Sequence, residues 1–100
     1  MVDNGGVAAL SDADVEAGLG DLPGWSRVAD TIETTYELAS FPDAVAFVTR
    51  VAFLAEAANH HPDLDIRWRK ARVALTTHDE GGITDKDLEL ARSIEGLGVR

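Results

Sequence analysis

Three histidines supply the side chains of this sequence that titrate closest to neutral pH. His60 and His61 are adjacent, directly before Pro62, and His78 stands 17 residues after His61 in a Thr76-Thr77-His78-Asp79 run. A solvated loop histidine is the plain reading of any one of them. A metal site is a second reading, since histidine is a common ligand. Against it, neighbouring histidines diverge and no His-x-x-His or His-Glu-x-x-His spacing occurs. Acid–base chemistry is the third: several imidazoles around one substrate can both donate and remove protons near pH 7. Two carboxylates, Asp87 and Glu56, are weighed beside the histidines. Asp87 can equally close a helix N-terminus as the fourth residue of Thr84-x-x-Asp87, and Glu56 can be an ordinary surface carboxylate. Trp68 can be plain core.

These residues need elements to carry them. Ser11-x-x-Asp14 has helix-capping spacing, and Gly18, Gly20, Pro23 and Gly24 end that short helix. Residues 25–38 read as a β-hairpin with Asp30 near its turn, rich in Thr31, Ile32, Thr34, Thr35 and Tyr36. Residues 41–58 form the longest predicted helix, with Pro42 in its first turn. Val45, Phe47, Val48, Val51, Phe53 and Leu54 spread over most of its circumference, so it must be covered on more than one side. That predicts a homodimer or homotetramer built through the 41–58 helix and a sheet edge.

Residues 59–65 read as a polar loop and 66–78 as strand material. Ile66 and Trp68 fall on even positions but Val73 and Leu75 on odd ones, so a tight turn or bulge is expected near Arg69-Lys70. Gly81-Gly82 marks a turn. Thr84 caps a last helix that carries Leu88, Ala91, Ile94, Glu95 and Leu97 and ends at Gly98. The predicted class is α+β: a four-stranded antiparallel sheet with three helices on one face, in the order α-β-β-α-β-β-α. Residues 1–9 read as a loose lead-in, and 10–100 as one domain.

Bulk composition narrows the function. The chain of 100 residues has a net charge of −9, which disfavours nucleic-acid phosphates as partners. Its 45% hydrophobic content is that of a globular chain. With no cysteine, disulfide, thiolate and iron–sulfur chemistry are excluded. No apolar run approaches the roughly 20 residues of a membrane span, and no signal peptide is recognised, so a cytoplasmic setting is expected. Arg67, Arg69, Lys70 and Arg72 cluster locally, read as a solvated strand edge that discourages edge-to-edge pairing or as a local anion or partner contact.

Taken together, Glu56-x-x-x-His60-His61-Pro62, then Trp68, then His78, then Asp87 resembles the pterin-4a-carbinolamine dehydratase family. Phe47 to Ala52, Gly24-Trp25 and Gly81 to Thr84 resemble the family's central helix, first strand and last turn, so the likeness runs from about Leu10 to about Leu97. Two positions depart: Leu64 stands where many members carry an aromatic, and Trp68 replaces the usual tyrosine.

The resemblance implies a hydro-lyase, 4a-hydroxytetrahydrobiopterin dehydratase. It would expel the C4a hydroxyl of a tetrahydropterin as water, remove the N5 proton, and thereby recycle the cofactor through a quinonoid dihydropterin. It implies a pterin as small-molecule partner, with no metal and no cofactor. His60, His61, His78 and Asp87 would be catalytic. Asn59, Thr76, Thr77 and Asp79 would join the histidines in binding substrate, and Glu56 and Trp68 would support them. Within that set, His60 and His78 are expected to be the main acid–base pair. The family also implies the rival role of a pterin-binding or dimerisation (coactivator-type) interaction protein on the same fold.

Overall fold

A computed structural model describes residues 8–100. Most of the loose segment expected over residues 1–9 therefore lies outside the described residues. Ala8 and Ala9 are exposed, and the Leu10 N–H donates to the Ile83 carbonyl at 2.8 Å.

The order is helix, hairpin, helix, hairpin, helix, as the sequence predicts. Helix α1 spans Asp12–Gly18, and the Ser11 hydroxyl accepts from the Asp14 N–H to cap it. Strands β1 (Ser26–Val28) and β2 (Thr31–Glu37) form the first hairpin. Helix α2 spans Phe41–Ala58, capped by Ser40, with proline in its first turn. Strands β3 (Asp63–Arg67) and β4 (Lys70–Leu75) form the second hairpin, and helix α3 spans Asp85–Glu95.

The sheet order is β1-β2-β4-β3, antiparallel throughout. Alternation sends Ile32, Thr34, Tyr36, Ala71, Val73 and Leu75 to one face, all buried. Val15 of α1, Phe47, Val51 and Ala55 of α2, and Leu88, Leu90, Ala91 and Ile94 of α3 complete the core on that face. Tyr36 meets Phe47 with ring centroids 4.6 Å apart at 52°.

Four sequence expectations shift. Strand β3 begins at Asp63, inside the expected polar loop, because Asp63, Asp65 and Arg67 point outward while Leu64 and Ile66 alternate inward. The parity change comes from a two-residue turn at Trp68-Arg69, which pairs Ile66 with Ala71. Helix α3 stops at Glu95, with Gly96 as its cap, and Gly98 turns the chain with φ 74°. The basic cluster is a strand edge only in part: Arg67 sits on the edge strand β3, whereas Lys70 and Arg72 sit on β4, which is paired on both sides. There the arginines find acidic partners. Arg72 makes two 3.1 Å hydrogen bonds to Glu33, Arg69 lies 2.8 Å from Glu37, and Arg67 3.4 Å from Asp65.

Candidate active site

Helix α2 must end abruptly to present its histidines. Asn59 does this by adopting a left-handed conformation (φ 51°, ψ 44°), which asparagine tolerates better than most residues. The Asn59 N–H then caps α2, and the His60 N–H reaches back to the Ala55 carbonyl at 3.0 Å. Asn59 itself is exposed, so its visible contribution is to aim the next residue.

That next side chain turns inward. His60 is 10% exposed and its Nε2 lies 2.5 Å from Oδ1 of Asp87, which is fully buried. A carboxylate only accepts, so Nε2 carries the proton and Nδ1 of the neutral ring is left as an acceptor. Two hydrogen bonds hold the other Asp87 oxygen. The Thr77 hydroxyl and the Thr84 backbone N–H each donate to Oδ2 at 2.9 Å. Thr77 and Thr84 also share a hydroxyl–hydroxyl bond of 2.8 Å. The same Asp87 completes the capping box of α3. One residue thus closes a helix and orients a histidine, and its hydrogen bonds offset the cost of burying a carboxylate.

His61 points the other way. It is exposed and its Nε2 lies 2.9 Å from Glu56 Oε1, so each neighbouring histidine has a carboxylate of its own. His78 opens a single 3₁₀ turn, His78–Glu80, at the end of the last strand and is also exposed. Together with Thr76, Gly81, Gly82 and residues 28–31, it lines a depression of about 360 Å³. The Thr76 hydroxyl donates to the Asp30 carbonyl at 2.5 Å, and Asp79 is exposed beside it. Thr77 is buried, and its hydroxyl is spent on Asp87 and Thr84.

His60 lines a different depression, of about 480 Å³, between α2 and α3. Leu54, Ala57, Ala58 and Leu90 give it apolar walls, and Lys86, Glu89 and Ser93 give it polar ones. Both volumes fall in the range of small-molecule sites. Among the described residues no hydrogen bond joins two histidines. The connection between His60 and the strand end runs through Asp87 to Thr77, the residue before His78. Also among the described residues, no three His, Asp or Glu side chains group as a metal site, and no helix is long and apolar enough to cross a membrane.

Trp68 stands apart. It occupies the turn of the second hairpin with φ 55°, is 71% exposed, and lies under the Arg69 guanidinium at 5.0 Å. Strand β3 separates it from the histidine loop by about 17 Å of extended chain. In this chain it is neither core nor a wall of either depression.

Sequence reasoning missed Thr84 as a member of the buried network. The capping spacing marked that residue, but only as a helix cap. It also missed Lys86 and Glu89, whose positions flank Asp87 on the face of α3 turned toward His60.

Comparison with known proteins bears on the family and the fold. Residues 8–97 match the family model for pterin 4 alpha carbinolamine dehydratase. A protein of Roseiflexus sp. (strain RS-1), proposed by its name to be a pterin-4-alpha-carbinolamine dehydratase, is 62% identical over 88% of this chain and 95% of its own. A similarly named protein of Mycolicibacterium vanbaalenii is 50% identical over 91% of this chain and 98% of its own. Among solved structures, the transcriptional coactivator/pterin dehydratase of Brucella melitensis superposes with a TM-score of 0.85 at 28% identity, covering 89% of this chain and 97% of that one. By the family match over residues 8–97 and by these relatives, the chain belongs to the pterin 4 alpha carbinolamine dehydratase family.

Proposed function

We propose that this chain catalyses loss of water from a 4a-hydroxytetrahydropterin, regenerating the dihydropterin that is reduced back to cofactor. The catalytic unit is residues 10–100, and the expected setting is the cytoplasm. The observation that carries the reading is the buried Asp87 carboxylate fixing the His60 ring. Such a pair serves proton transfer: Asp87 holds Nε2–H, Nδ1 accepts the N5 proton, and the carboxylate stabilises the imidazolium that results. His78 lines the other depression, so its role as the donor that lets the C4a hydroxyl depart as water requires one substrate to reach both histidines. His61, held by Glu56, assists or binds. Asn59, Thr76 and Asp79 offer polar groups around the substrate, and Thr77 acts from beneath through Asp87. Electrons on the pterin nitrogen expel the protonated hydroxyl, so the chemistry asks the protein only for acid–base help, worth roughly 10²–10⁴-fold.

The decisive measurement is the decay of 4a-hydroxytetrahydropterin followed by absorbance. Wild type should accelerate it, and His60→Ala and His78→Ala should each remove most of the acceleration. A larger loss with His61→Ala than with either would reverse the assignment of roles. No acceleration by wild type would end the dehydratase reading.

A second reading, an interaction role, is favoured by the outer face of α2. Phe53 is 74% exposed, and Phe41 and Val45 are exposed on the same helix. Self-association through α2 into a homodimer or homotetramer covers this face. Light scattering of Phe53→Glu tests it: a monomer supports that interface, and unchanged mass removes it.

A further inference from the structure

At the opposite end of α3 from Asp87, a second carboxylate organises a cluster that the proposed dehydration does not use. Glu95 Oε2 accepts from the Tyr36 hydroxyl at 2.5 Å, from the Trp25 indole N–H at 3.0 Å, and from the Arg100 guanidinium at 2.9 Å. The guanidinium also donates to the Thr34 hydroxyl oxygen at 2.6 Å and to the Thr35 carbonyl at 3.1 Å. Its carbon lies 4.2 Å from the centroid of the Tyr36 ring. The Thr34 hydroxyl donates its own proton to the Gly24 carbonyl at 2.6 Å, leaving its lone pairs to the arginine. Gly24 makes the room: a Cβ there would come within 2.0 Å of an Arg100 nitrogen.

We propose that Gly24, Trp25, Thr34, Tyr36 and Glu95 form a receptor for a monosubstituted guanidinium cation, which Arg100 of the same chain fills. Three acceptors fanned around one planar fork, beside an aromatic face, match a guanidinium and not the compact ammonium of lysine. The receptor groups have partners besides their occupant. Tyr36 and Trp25 hold the carboxylate from the side away from solvent, and Thr34 is held by Gly24. Burial opposes charge on Glu95, but the bonds from Tyr36 and Trp25 and the neighbouring Arg100 overcome it and hold its pKa below the ordinary 4.5. The span matched by the family, 8–97, contains every receptor residue and stops short of Arg100. An arginine side chain presented by another molecule has the chemistry to compete for the receptor.

The test is chemical rescue of Arg100→Ala. The substitution should lower Tm by roughly 4–8 °C, the shift expected for losing about one hydrogen bond's worth of stability in a domain of this size. Methylguanidinium chloride at about tens of millimolar, far below denaturing levels, should restore at least about half of that shift by binding only the folded state. In a ¹H–¹⁵N spectrum it should move the Trp25 indole resonance of Arg100→Ala saturably, and leave that of wild type in place. Arg100→Lys should not substitute for arginine. Adding Glu95→Gln to Arg100→Ala should weaken methylguanidinium binding by about tenfold or more. The proposal falls if wild type responds as the variant does, if trimethylammonium rescues equally, or if Arg100→Ala shows no saturable shift of Trp25. None of these readouts involves pterin turnover, so the proposal stands or falls separately from the dehydratase reading.

Discussion

Helix α3 carries a hydrogen-bonded carboxylate at each end, and the two ends differ in what those carboxylates gather. Asp87, in the first turn, is fully buried and holds an imidazole, a hydroxyl and a backbone N–H. Glu95, in the last turn, is partly exposed and holds a phenol, an indole and a guanidinium. Burial and the bond to Glu95 push the Tyr36 hydroxyl well above its ordinary 10.0, and Glu95 itself is pulled down. Every group around Glu95 therefore keeps one protonation state across the neutral range. Around Asp87, the partners are an imidazole, a hydroxyl and a backbone N–H instead. The same side-chain chemistry on one helix yields an end that fixes an imidazole and an end that fastens a guanidinium, and the difference lies in the partners.

Substitutions can break that contrast. The largest expected effect is on turnover: His60→Ala should slow dehydration by roughly 10²–10⁴-fold, read as the loss in acceleration of carbinolamine decay. Asp87→Asn keeps a side chain of the same shape but removes the charge that orients and stabilises the imidazolium. It should cost about 10–100-fold in the same assay, and about 2 kcal/mol in urea unfolding. Glu95→Gln is the matching change at the other end. It should cost about 1–2 kcal/mol in unfolding and leave the rate within about twofold of wild type. Equal losses of rate from Asp87→Asn and Glu95→Gln would mean that the two ends do not differ as their partners imply.

How far the two ends were legible in the sequence follows the same division. The Asp87 end was largely visible, because its parts are local or motif-bound: the Thr84-x-x-Asp87 cap is a fixed spacing, and His-His-Pro after a long amphipathic run marks the end of α2. That Asp87 both caps and reaches His60 could only be suspected, since the contact spans 27 residues. The Glu95 end was not visible as a site. Its partners stand 59 and 70 residues away, and Glu95 read only as one more position on a helix face. Strand β3 was read short because its outward Asp63 and Asp65 look like loop residues until alternation with Leu64 and Ile66 is seen against β4. Trp68 was read as support for the site or as core, because nothing in its residue type announces a left-handed turn.

Thr77 sharpens the comparison at smaller magnitude. Its hydroxyl reaches only Asp87 and Thr84, so Thr77→Val keeps the buried shape and removes one of the two donors to Asp87 Oδ2. Unfolding should lose about 1 kcal/mol, the worth of a buried hydrogen bond. The rate should fall a few-fold through a lower kcat with little change in KM, because the hydroxyl positions the His60–Asp87 pair instead of touching substrate. A change confined to KM would assign Thr77 to the substrate surface after all.

The last test of the comparison, silent at neutral pH, is the pH dependence of stability contributed by the Glu95 end. Glu95 titrates below its ordinary 4.5 in the folded chain. The unfolded state therefore binds the proton first, and the stability that Glu95 contributes is present above pH 4.5 and lost as pH falls through its lower folded value. Tyr36 is displaced upward from 10.0, so between that value and its folded one the native state holds a proton that the unfolded state has released. The Tyr36 contribution is thus whole below pH 10 and lost as pH rises above it, with a slope of at most about 1.4 kcal/mol per pH unit. Urea unfolding at a series of pH values should show a plateau closed by these two limbs. Tyr36→Phe should flatten the alkaline limb, and Glu95→Gln should flatten the acid limb and also weaken the alkaline one, because the bond and charge of Glu95 help to raise Tyr36. If Tyr36→Phe leaves the slope above pH 10 unchanged, the phenol is not the group that titrates there. The fastening end of α3 would then owe its hold to Trp25 and Arg100 alone.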